Sequence, residues 1–101
     1  MFYKKITGAG DLVMPKNTRI YWARLESAAA DSTAILYDDI TQAAGATNEN
    51  EFCTLLVTAA ATYEAHPKSD KQSFLPYGIR LERGLSITIT GTSAILHIYY
   101  A

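Results

Sequence analysis

The stretch from Gly84 to Tyr100 constrains the fold of this chain more than any other. Leu85-Ser86-Ile87-Thr88-Ile89-Thr90 alternates apolar and hydroxylic residues without a break. That is the two-residue period of a strand with one buried face, and Leu85, Ile87 and Ile89 are the residues it turns inward. After Gly91-Thr92, the run Ser93–Tyr100 reads as a second strand, with Leu96, Ile98 and Tyr100 on one face and Ile95, His97 and Tyr99 on the other. A strand apolar on both sides is expected only at the centre of a sheet or under a cover. The Gly91-Thr92 break is short enough for a tight hairpin. Upstream, Tyr77 to Arg83 alternates again, with Tyr77, Ile79 and Leu81 inward, Arg80 and Glu82 outward, and Pro76 marking the start. Three successive strands predict a meander.

The first half is less regular. Phe2 to Ile6 is strand-like, Gly8-Ala9-Gly10-Asp11 reads as a turn, and Pro15 to Thr18 reads as a second turn leading into a strand from Arg19 to Glu26. Thr33 to Asp38 has the length and bulk of a central strand, and the small, polar run Thr41 to Asn50 reads as a loop. Between Asn48 and His66 two patterns compete. Phe52, Leu55, Leu56, Ala59, Ala60 and Tyr63 recur at helical spacing behind an Asn48/Glu51 capping box, so a short helix within 48–64 is one reading. The β-branched Thr54, Val57, Thr58 and Thr62 favour strands, over Cys53–Thr58 and again around Thr62-Tyr63-Glu64. The all-strand surroundings favour the second reading, because a lone helix must find an uncovered sheet face. His66 to Gln72 is a polar, exposed connection. Seven or eight short strands with turns about every ten residues predict a single all-β domain over 1–101, a small antiparallel β-sandwich or jelly roll.

Charge and reactive groups narrow the function. Nine basic against ten acidic residues leave a net charge of −1, so no global field draws in nucleic acid or an anionic membrane, and the basic residues are scattered along the chain. No run approaches 18 apolar residues, and no apolar segment follows Lys4 and Lys5 as in a signal peptide. Neither nucleic acid nor membrane is expected as a partner. Hydrophobic residues make up 49 % of the chain and charged ones 19 %, fewer charges than a monomer's surface usually carries, which points to surface covered by a partner.

Chemistry-bearing groups are few. Asp38-Asp39 lacks the spacing of a calcium loop and reads as a strand end. His66 and His97 are the only histidines, and neither they nor Cys53 show zinc-ligand spacing. Cys53, among Phe52, Leu55, Leu56 and Val57, reads as a buried thiol, so a Cys-His nucleophile is weakly supported. Gly8-Ala9-Gly10 lacks the context of a phosphate loop. The residues therefore imply no enzyme, no cofactor and no metal. The aromatic residues say more: Tyr21-Trp22 and Tyr99-Tyr100 are adjacent pairs, so each sends one ring to either face of its strand, one into the core and one toward a second layer or another chain.

The segments Ile35-Leu36-Tyr37-Asp38, Ala44-Gly45-Ala46-Thr47, Leu75-Pro76-Tyr77-Gly78-Ile79-Arg80-Leu81, Gly84-Leu85-Ser86-Ile87-Thr88-Ile89-Thr90-Gly91-Thr92 and Ala94–Tyr100 follow one another in an order that resembles small structural proteins of tailed-bacteriophage virions. The resemblance spans 19–101 and departs at Asn48 to Lys71, where such proteins tend to be shorter. It implies a β-sandwich or jelly-roll unit without catalytic residues, assembled in the bacterial cytoplasm into the virion, where it decorates or stabilises a capsid. Its implied partners are other virion proteins, the major capsid protein or head-to-tail components, and further copies of itself, with a trimer as the first expectation. Tyr21, Trp22, Tyr99 and Tyr100 are then the expected interface or core anchors, with Arg80 and Arg83 as rim charges. A carbohydrate- or receptor-binding module, with an exposed ring beside carboxylates, is the alternative, and a small jelly-roll enzyme using His97 or His66 is the weakest reading.

Overall fold

A computed structural model describes residues 1–27, 31–42, 49–58, 68–91 and 93–101. Its strands are β1 (Phe2–Ile6), β2 (Gly10–Pro15), β3 (Arg19–Ser27), β4 (Ser32–Asp38), β5 (Glu51–Val57), β6 (Lys68–Ser73), β7 (Ile79–Arg80), β8 (Gly84–Thr90) and β9 (Ile95–Tyr100), and the described residues contain no helix. They form two antiparallel sheets, β1-β9-β3-β6 with β7 also on β3, and β2-β8-β4-β5. Apart from the short β7, the first strand pairs with the last, β2 with β8, β3 with β6 and β4 with β5. That ladder folds over so that β9 also meets β3 and β8 also meets β4. The result is a jelly roll.

This topology corrects the expected meander. β8 and β9 are consecutive but lie in opposite sheets, so the connection that follows Gly91 joins two layers and closes no hairpin. Gly91 has a φ of 111° and its α-carbon sits against Asp31 and Ser32, where the chain passes from β3 to β4. That contact steers the chain across the sandwich. Both strands become central, which is what the two apolar faces of β9 require.

Other expectations change as well. The Gly8–Asp11 turn is shorter than the sequence suggests, because β2 already starts at Gly10 and carries a register shift between Gly10 and Met14 with Leu12 at a φ of 48°. The segment 68–73 is a strand although it has no apolar face. It sits at a sheet edge paired only to β3, where exposed charges block further pairing, and hydrophobic periodicity has nothing to report there. The strand expected from Tyr77 shrinks to Ile79–Arg80, and Tyr77 is 81 % exposed instead of inward. Glu51–Val57 is extended, so the helical reading fails there: Cys53, Leu55 and Val57 alternate into the core and pairing with β4 overrides the helical spacing. Asn48 and the expected strand at Thr62-Tyr63-Glu64 lie outside the described residues.

The core lies between the sheets. Ile20, Ala23, Leu25, Leu96 and Ile98 of the first meet Ala34, Leu36, Leu55, Leu85 and Ile87 of the second, each at most 1 % exposed, with Leu81 closing one end. Each such Leu or Ile contributes roughly 1.5–3 kcal/mol of burial.

Candidate interaction surface

The two outer faces of the sandwich differ. On the second sheet, Tyr37 and Ser86 point away from the core and are nevertheless buried, and the segment after β4 folds back over Ser86. Ser86 Oγ donates to the Asp39 carbonyl at 2.8 Å, Thr88 Oγ1 lies 2.6 Å from Gln42 Oε1, and the Gln42 N–H donates to Asp11 Oδ1 at 2.8 Å. No described segment crosses the outer face of the first sheet.

Strand register orders that open face into rows. Tyr3 of β1, Tyr99 of β9 and Trp22 of β3 stand side by side, followed by Ser73 of β6. The ring centroids are 5.1 Å apart for Tyr3–Tyr99 and 4.9 Å for Trp22–Tyr99, so Tyr99 is packed between its neighbours. Trp22 and Tyr99 are stacked, with 28° between their planes, and Tyr3 is tilted by 41° against Tyr99. The next row is Lys5, His97, Arg24 and Lys71, a line of basic residues across all four strands.

A polar network ties the rows together. Tyr3 Oη lies 2.5 Å from His97 Nδ1, His97 Nε2 lies 3.2 Å from Glu26 Oε1, and Arg24 Nη1 lies 3.7 Å from Glu26 Oε2. The tyrosine hydroxyl thus sits on one ring nitrogen of His97 and the Glu26 carboxylate on the other. The network links β1, β9 and β3 and has the parts of a proton relay, laid out on an open sheet face. The sequence pattern places His97 with Ile95 and Tyr99 on one face of a strand and singles out neither Tyr3 nor Glu26. The outward parity of Tyr3 in a strand was the available signal; its pairing with β9 was not written in the chain.

No family model matches this chain, and neither does any curated protein or solved structure.

The expected anchors separate. Trp22 and Tyr99 lie together on the open face. Tyr100 turns to the other side, half-buried against the core with its ring 5.7 Å from Phe2. Tyr21 is the extra residue where β3 shifts register against β9, and it lies against Gly78. Arg80 and Arg83 are exposed at the end of the sandwich that holds both chain termini, donating to Asn17 Oδ1 at 3.1 Å and Asn50 Oδ1 at 3.4 Å.

The other reactive groups have structural duties. Asp38 accepts the backbone N–H groups of Glu82, Arg83 and Gly84, shaping the turn before β8, and Asp39 accepts from the Ile40 N–H and Asn50 Nδ2. Cys53 is buried in the core on β5, far from the outer face that carries His97. Burial first, then the Asp70 and Glu51 carboxylates, push its thiol up from an ordinary 9.0 to about 11, which suppresses the nucleophilic thiolate. His66 lies outside the described residues. Among the described residues no group of three or more His, Cys, Asp or Glu side chains could hold a metal ion.

Proposed function

We propose that this chain is a non-catalytic structural subunit of a bacteriophage virion, a capsid-decorating or stabilising unit that works through protein–protein contacts made by the outer face of β1-β9-β3. The observation that carries the reading is the contrast between the two outer faces: one is covered by the chain's own segment 39–42, while among the described residues nothing lies over the other, where Tyr3, Tyr99 and Trp22 stand in a row. Tyrosine and tryptophan beside arginine are enriched in interface cores and hot spots. The stacking of Tyr99 on Trp22 occupies ring faces that a sugar would use, which favours a protein partner. The jelly roll occurs in viral capsid domains and in lectins alike, so the fold agrees with the reading without selecting it. The partners are further copies of the chain, a trimer first, and other virion proteins. In a shell, symmetry repeats a modest contact many times and gives avidity.

Light scattering coupled to size-exclusion chromatography over a concentration series tests the self-association. A trimer or larger closed assembly that dissociates in Trp22→Ser, with the circular dichroism of the fold retained, is the expected result. A strict monomer at high concentration overturns self-association through this face.

A further inference from the structure

At the end of the sandwich that carries both termini, the connection between β6 and β7 projects Leu75 and Tyr77 into solvent, 58 % and 81 % exposed. This is a built loop. The Phe74 N–H donates to the Tyr21 carbonyl and the Gly78 N–H to the Phe74 carbonyl, each at 2.8 Å, and Arg19 Nη1 donates to the Tyr77 carbonyl at 3.0 Å. Below it, Phe74 packs 6.1 Å from Phe52, and Gly78, with a φ of 72°, lies so close to Tyr21 that a side chain there would meet the ring at 3.0 Å. A loop anchored at five points that holds a leucine and a tyrosine away from the core has the form of an interface anchor.

Beside the loop stands a second anomaly. Arg19 of β3 and Arg80 of β7 are directly opposite in the ladder, both exposed, and among the described residues neither forms an ion pair. Like charges in that position destabilise a sheet. Each guanidinium has five N–H donors, and the contacts found use one apiece, to the Tyr77 carbonyl and to Asn17.

From these two observations we infer that Leu75, Tyr77, Arg19 and Arg80 form a docking site for an acidic segment of a different protein, one that brings a carboxylate to the arginine pair and an apolar side chain or pocket to the loop. Charge decides against a second copy seated through its open face, because that face carries the Lys5, Arg24 and Lys71 row and would repel the arginines. A phosphate-rich polymer would engage the guanidiniums but leave Leu75 and Tyr77 without a role. The site is separate from the aromatic row, so a subunit could associate laterally through one and attach to another component through the other.

The probe is a library of random linear peptides displayed and selected on the purified wild-type chain. Enrichment of sequences that place Asp or Glu beside an apolar residue, with affinity falling about tenfold in Tyr77→Ser and in Arg80→Gln, is the expected result. Tyr77 is exposed and Arg80 faces a like charge, so neither variant should unfold below the wild-type temperature, and Trp22→Ser should bind the peptides as wild type does. No enrichment, enrichment of neutral peptides, binding indifferent to Tyr77→Ser, or full competition by inorganic phosphate would each overturn the inference. None of these outcomes depends on whether the chain self-associates.

Discussion

Asp38 shows how a residue that looks available for chemistry is spent on architecture. Its carboxylate collects the N–H groups of Glu82, Arg83 and Gly84 at 2.9–3.3 Å. Asp38→Ala is expected to lower stability by about 1–3 kcal/mol, read from the urea midpoint, since several donors lose a charged acceptor together. Cys53 is the second case. Its thiol is held neutral by burial and by nearby carboxylates, so its contribution to stability is fully present below the ordinary 9.0 and is lost as pH climbs through about 11. Alkaline unfolding curves should show that loss in the wild type and a shallower one in Cys53→Ala. At neutral pH the native thiol should ignore Ellman's reagent until the chain is unfolded.

At the scale of the element, edges and crossings matter more than propensity. The β5 edge is guarded by Asp70, whose Oδ2 accepts the Leu56 N–H at 2.9 Å. Asp70→Ala should free that donor and raise aggregation at high concentration, seen as light scattering on storage. The same change should lower the Cys53 pKa, because Asp70 is one of the carboxylates that raise it. The β8-to-β9 crossing depends on Gly91. A β-carbon there would run into Ser32 Oγ and the Asp31 carbonyl at a φ that side chains avoid, so Gly91→Ala is expected to cost about 1–3 kcal/mol by thermal unfolding.

For the whole molecule, the pairings are almost all distant in sequence. Tyr3 bonds to His97 across 94 positions, and β1 completes its sheet only once β9 is in place. Stopped-flow refolding from urea should therefore take milliseconds to seconds, slow for a chain of this length. The all-β class, the inward residues of β8 and the burial of β9 on both faces were legible in the chain, because a half-buried strand writes its orientation in a two-residue period and a doubly apolar strand has to be central or covered. The strand character of 68–73, the exposure of Tyr77 and the partners of β8 were not legible. An edge strand needs no apolar face, a loop residue has no period to obey, and a strand's periodicity names its buried face without naming its neighbours. The same limit governs the candidate surfaces. The adjacent pairs Tyr21-Trp22 and Tyr99-Tyr100 pointed to aromatic contacts without saying which ring of each faces out, while the row that Trp22 and Tyr99 form with Tyr3, the His97–Glu26 link and the opposition of Arg19 and Arg80 exist only because jelly-roll pairing sets distant residues side by side.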